Sequence, residues 1–179
     1  MPKLPIDILQ SRIKSEMQIC LSELKNYTFE TSDPTFKKFP LTIAVTIRGI
    51  PGPVLKDGKV THSFTHKFIM KITEEYPYHK PIVIWGSDIF HPNIMTPTEG
   101  GFVCIKLLDE WTFGSNLLVF IRGIETLLCN PNPGNAYVSD TCIEAAKYFA
   151  KYPYTPPAIV KDIGKAPKPK IVSEQKDEK

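Results

Sequence analysis

Cys104 is the residue best placed to do chemistry in this chain. It lies in Gly101-Phe102-Val103-Cys104-Ile105, after His91-Pro92-Asn93 and before Trp111 and Pro131-Asn132-Pro133. Rigid Pro-Asn turns therefore bracket a single thiol in an apolar run, and no His-Asp or His-Glu relay lies near it in sequence. A strong base beside the thiol would also activate water, so its absence suits a cysteine that accepts and holds an acyl group rather than one built for rapid hydrolysis. A free cysteine is most often a small buried hydrophobe. The irregular, glycine-led setting of Cys104 instead points to a loop, where function concentrates. Cys20, Cys129 and Cys142 fall on the inner faces of helical patterns and read as packing.

The neighbours divide by what their side chains can do. Asn93 carries a neutral amide donor that could stabilise an oxyanion at an acyl group on Cys104 without taking a proton. It could equally cap a turn, and the two roles can coexist. His91 reads as structural, because Pro92 fixes the backbone after it and its ring can hydrogen-bond a turn. Trp111 reads as packing. A thiol hydrolase would need a histidine partner, yet His62, His66 and His79 lie on or near strands and nothing places them at Cys104.

The elements that must hold these residues are legible in the periodicity. After Pro5, Leu9, Ile13, Met17, Cys20 and Leu24 recur at helical spacing, with Asp7 as N-cap and Gln10 three positions on, and Asn26 and Tyr27 close the helix. Alternating residues predict strands over 39–47 and 61–72, joined through Gly49-Ile50-Pro51-Gly52-Pro53 and Lys56-Asp57-Gly58-Lys59, and a further strand over 81–85. An irregular stretch from Ser87 to about Phe113 holds the chemistry. Leu117, Phe120, Ile121, Ile124 and Leu127-Leu128 predict a buried second helix. A third runs from Ser139 to Tyr152, with Ile143, Ala146, Phe149 and Ala150 facing inward. The order is α+β: an N-terminal helix, a four-stranded antiparallel meander, an irregular active-site segment and two or more C-terminal helices.

Composition sets the outer bounds. At 179 residues and 42% hydrophobic, the chain can bury one core, assigned to residues 1–152, with 153–179 as a Pro/Lys-rich tail expected to be mobile. A net charge of +3, from 22 basic and 19 acidic residues, does not indicate a nucleic-acid surface. Apolar runs such as Leu117 to Ile121 fall far short of the ~20 residues of a membrane span, and Met-Pro-Lys-Leu-Pro does not read as the start of a signal peptide. Four widely spaced cysteines without a CxxC pair read as reduced thiols, not as a zinc or disulfide framework, which gives an expected cytoplasmic location and no metal.

Over Leu9 to Tyr152 the chain resembles the ubiquitin-conjugating enzymes: Tyr76-Pro77, His91-Pro92-Asn93-Ile94, Cys104, Trp111, Leu127-Leu128 and Pro131-Asn132-Pro133 all fall in that family's order. The resemblance implies that Cys104 takes ubiquitin or a ubiquitin-like modifier from an activating enzyme as a thioester. Cys104 would then pass it to a substrate lysine, usually with a RING-type ligase. It implies no cofactor on this chain, the ATP being used by the activating enzyme. It also implies that Asn93 meets the oxyanion, with His91, Pro92 and Trp111 in support, and that Arg12 faces the activating enzyme. The alternative is an inactive binding or scaffold module of the same fold, whose members generally lack the cysteine. Several positions depart from the family. Asn135 stands where an acid often assists the incoming lysine, and Lys106 where an acid often follows the cysteine. Thr112-Phe113 replaces the usual Ser/Lys-Pro where ligases dock. Ser115 and Arg122 replace apolar positions that touch the carried modifier. The segment from Asn93 to Cys104 is a few residues longer than in compact members.

Overall fold

In the computed structural model, residues 2–104 and 110–158 are described in full and 171–172 as backbone. Lys106 and most of the tail therefore lie outside the described residues. Helix α1 (Ile6–Glu23) buries Leu9, Ile13, Met17 and Cys20, the stripe its spacing predicts. Asp7 is not its N-cap: Pro5 holds that position, and Asp7 lies in the first turn, where a carboxylate favours the positive end of the helix dipole.

Strands β1 (Tyr27–Glu30), β2 (Leu41–Lys56), β3 (Lys59–Ile72) and β4 (Ile82–Trp85) form the antiparallel meander in the order β4-β3-β2-β1. Leu41 pairs with Ile72, Ile43 with Met70, Val45 with Phe68 and Ile47 with His66, and these facing residues are all buried. The position of strand β1 in the four-stranded meander was not identified. The strand is only four residues long, and the sequence reading placed Tyr27 at the end of α1. Strand β2 starts at Leu41, after Pro40, which has no N–H for a ladder.

The Gly49-to-Pro53 stretch is not a connecting turn. It runs inside β2 as an irregularity between Arg48 and Gly52, and the tight turn is Asp57-Gly58, with φ of 50° and 72°. Gly52 is required there, because a Cβ would lie 2.5 Å from Leu128 Cδ1 and 2.7 Å from His66 Cε1.

Helix α2 (Leu117–Cys129) buries the predicted residues against the sheet and α1, and Asn116 caps it by accepting the Val119 N–H at 3.0 Å. Helix α3 (Asp140–Lys151) is capped by Ser139. It buries Cys142, Ala145 and Phe149, whereas Ile143 and Ala150 face outward, which rotates the expected inner face. Phe149 and Ala145 form a separate small cluster with Phe90. A two-residue strand β5 (Ile171–Val172) pairs in parallel with β1, so the tail expected to be mobile makes at least this contact with the sheet. No helix among the described residues is long and apolar enough to cross a membrane.

Candidate functional site

Gly101 fixes the approach to Cys104. Its φ is +67°, its carbonyl accepts the Trp85 N–H at 2.7 Å, and a Cβ there would lie 2.5 Å from the Trp85 oxygen. Only glycine combines that backbone conformation with that proximity to β4. Isolated bridges Ile84–Phe102 and Ile94–Val103 then lead to Cys104, whose N–H donates to the Asn93 carbonyl at 2.8 Å. The thiol residue is half-buried.

His91 lies beneath this loop, fully buried. Its Nδ1 accepts the Asn93 N–H at 3.0 Å and its Nε2–H donates to the Leu127 carbonyl at 3.0 Å. Burial pushes the imidazole down to about 3 against the opposing pull of the Leu127 carbonyl, so the ring is neutral with both nitrogens engaged. It therefore ties the cysteine loop to the end of α2 and has no nitrogen left over to act as a base.

The Asn93 side chain is also fully engaged. Its Nδ2 donates to the carbonyls of Asn132 and Asn135, each at 3.0 Å, and its Oδ1 accepts the Asn132 N–H at 2.8 Å. The expected oxyanion donor thus has both amide protons on the Pro131-Asn132-Pro133 loop. What the structure shows is the turn-fastening role: one residue holds Cys104 through its backbone and the facing loop through its side chain. Asn132 closes that loop on itself, its side chain accepting the Gly134 N–H at 3.1 Å. Asn135 enters the arrangement through its backbone carbonyl.

Two residues that the sequence reading did not single out complete the surroundings. Tyr137, half-buried, donates its N–H to the Pro92 carbonyl at 2.9 Å. Burial pushes its phenol up, and charge on Cys104 or Cys142 pushes it further. Glu99 lies between Asn93 and Cys104, in the short turn Pro97–Glu99. One carboxylate oxygen accepts the Thr141 N–H at 2.9 Å at the start of α3, and the other accepts the Thr96 hydroxyl at 2.9 Å. Desolvation opposes its ionisation, but these hydrogen bonds hold the carboxyl below its ordinary range. The signal was present: Thr96-Pro97-Thr98-Glu99 is a capping box with Pro at the first helical position.

Arg12 and Trp111 sit away from the thiol. The Arg12 guanidinium donates to Glu16 at 2.8 Å and to the Phe113 and Ser115 carbonyls, each at 2.8 Å. It also lies 5.0 Å from the Phe113 ring centroid. Glu16 in turn accepts the Leu117 N–H at 2.9 Å and the Tyr76 hydroxyl. Arg12, which the resemblance turns toward the activating enzyme, is also bound within the chain, joining α1 to the loop before α2. Trp111 donates its Nε1–H to the Pro77 carbonyl at 2.7 Å and packs edge-on against Phe120. Phe113 and Tyr78 expose their rings side by side, centroids 5.2 Å apart. Ser115 turns its hydroxyl to the Thr112 N–H at 3.0 Å, and Arg122 is exposed on α2.

The other thiols and histidines among the described residues have their own surroundings. Burial pushes the Cys20 thiol up to about 12 and that of Cys129 to about 11, and it also raises that of Cys142. His66 is buried in the core on the Ile50 and Ser63 carbonyls, His62 bonds the Tyr154 hydroxyl, and His79 lines a groove beside Trp111. Among the described residues, no cluster of three or more His, Cys, Asp or Glu could hold a metal ion.

Comparison with known proteins gives a consistent picture. The sequence profile described as ubiquitin-conjugating enzyme matches residues 12–152. The chain is 35% identical over 88 residues to "Ubiquitin-conjugating enzyme E2 3" of Arabidopsis thaliana, covering 49% of this chain and 54% of that one. It is 32% identical over 110 residues to "Sumo-conjugating enzyme ubc9" of Dictyostelium discoideum, covering 60% and 65%. The chain thus spans between about half and two thirds of the length of these curated relatives. Among solved structures, "S. cerevisiae Ubc12" superposes with a TM-score of 0.62 at 23% identity, over 83% of this chain and 74% of that one, which is a likeness of fold.

Proposed function

The chain belongs to the ubiquitin-conjugating enzyme family, and from that premise we propose that it carries ubiquitin or a ubiquitin-like modifier as a thioester on Cys104 and passes it to a lysine amine. One observation carries the reading. Cys20 and Cys142 are buried and the Cys129 thiol donates to the Pro51 carbonyl, while Cys104 stands half-open on a loop fastened at its own N–H by Asn93. Transfer from an activating enzyme exchanges one thioester for another, so the site must orient more than it must drive.

The surroundings fit a carrier. His91 has both ring nitrogens on backbone groups, which leaves it unable to raise a hydroxide beside the thioester. The same feature disfavours a thiol hydrolase. The presence of Cys104 on this fastened loop favours a working carrier over an inactive scaffold. The reading needs no metal or cofactor on this chain, the ATP being used by the activating enzyme, and it assigns the chain to the cytoplasm. The exposed Tyr78–Phe113 pair is where we place a RING-type ligase.

The test is to incubate the protein with an activating enzyme, ATP and candidate modifiers and look for an adduct that reductant removes. Cys104→Ser should give an adduct that resists reductant, because an oxyester replaces the thioester, and Cys104→Ala should give none. A reductant-sensitive adduct persisting on Cys104→Ala would overturn the assignment.

A further inference from the structure

The oxyanion that forms when an amine attacks a thioester on Cys104 needs a hydrogen-bond donor, and the residue expected to supply it has both amide protons on the Asn132 and Asn135 carbonyls. Releasing one of them would give up a hydrogen bond that fastens the Pro-Asn-Pro loop to Asn93. The donor should therefore be sought among groups that surround Cys104 and are not already engaged.

Tyr137 meets that description. Its backbone is fastened to Pro92 and that of Cys104 to Asn93, so the two residues flank adjacent positions of the same segment. Its hydroxyl has no hydrogen-bond partner among the described residues, although every other polar group fastening this loop has one. The phenol is held neutral by burial first and then by its closeness to the sulfurs of Cys104 and Cys142, and a neutral phenol is a donor. Resting on the thioester reading above, we propose that Tyr137 is a catalytic residue whose hydroxyl donates to the oxyanion formed during transfer.

The step balances as follows. The amine nitrogen forms a bond to the thioester carbonyl carbon, and the carbonyl π pair moves to the oxygen, which accepts the Tyr137 O–H hydrogen bond. When the oxyanion collapses, the carbon–sulfur bond breaks and its electron pair leaves on the Cys104 sulfur. The proton released by the new ammonium goes to water. Tyr137 keeps its own proton throughout.

The test charges the full-length wild type, Tyr137→Phe and Tyr137→His to completion with a ubiquitin thioester of mercaptoethanesulfonate, which bypasses any activating enzyme. Single-turnover discharge is then followed over a range of free-lysine concentrations. Loss of the donor should lower the maximal rate of Tyr137→Phe by roughly tenfold to a thousandfold with the half-saturating lysine concentration unchanged. Tyr137→His, which restores a neutral N–H, should recover part of it. Melting temperatures of all three should coincide. A Tyr137→Phe rate equal to wild type overturns the inference, as does a loss confined to the half-saturating concentration or accompanied by a lower melting temperature. If wild type forms no reductant-sensitive adduct at all, the thioester reading itself is overturned and this inference with it. A wild type that charges normally, beside a Tyr137→Phe that discharges normally, removes only the role of Tyr137.

Discussion

Acid should destabilise this fold through His91, and the size of the effect follows from the ring's position. The folded imidazole is depressed to about 3, against 6.5 for the exposed group in the unfolded chain. Between those values the unfolded state binds a proton that the folded state refuses, so stability is full above pH ~6.5 and falls as pH drops through the window. Moving from pH ~8 to pH ~5 should cost about 2 kcal/mol from this one ring, at ~1.36 kcal/mol per pH unit fully inside the window. His66 is depressed by burial as well and adds in the same direction. Urea unfolding of wild type and His91→Gln at both pH values isolates the contribution. Glutamine can still donate to the Leu127 carbonyl but does not titrate, so the variant should be less stable near pH 8 and lose about 2 kcal/mol less on acidification. Equal losses in the two proteins, or a wild type that gains stability at pH ~5, would refute the argument that the ring is buried and neutral.

Three further outcomes are expected. Asn93→Ala removes the two amide bonds to the Asn132 and Asn135 carbonyls and the one from the Asn132 N–H, and should lower unfolding free energy by about 2–4 kcal/mol in urea titrations; unchanged stability would show that the side chain does not fasten the loop. Gly101→Ala adds a Cβ 2.5 Å from the Trp85 oxygen at φ +67°, so it should cost about 1–3 kcal/mol by thermal unfolding and change the rate of Cys104 alkylation. Asn135→Asp introduces a carboxylate where this loop has an amide; discharge to lysine, followed from pH ~6 to ~10, should rise near neutrality and depend less on pH than in wild type, whose rate should climb toward lysine's ordinary value of ~10.4.

The main elements were legible because their periodicities are long. Four positions of α1, with Leu24 at its C-cap, and six of α2 repeat at helical spacing, and β2 and β3 alternate over enough residues to fix their buried face. Strand β1 was not legible, since four residues show no more alternation than a loop and its existence depends on β2 beside it. Helix α3 was found, but its inward face was misread because Ile143 is exposed while the smaller Cys142 and Ala145 are buried. At the site, Cys104 could be picked out from its setting. The partners of Asn93 could not, because they are backbone carbonyls 39 and 42 residues away. The same holds for Arg12, whose acceptors lie 101 and 103 residues further on. Glu99 could have been found from its capping box, but the length of the segment drew notice where its composition should have.

Those sequence separations also bear on the order of assembly. The β2–β3 hairpin closes through a two-residue turn, and its contacts form between near neighbours in the chain. The clasp of Asn93 on residues 132 and 135 must close a loop of roughly forty residues that includes the whole of α2, an entropic cost met only after that helix has docked. During synthesis the thiol of Cys104 leaves the ribosome before the segment that will face it. For that interval the chain holds a nucleophile with no enclosing loop, open to oxidants and stray electrophiles, and prompt folding of α2 and the residues after it is what limits the exposure.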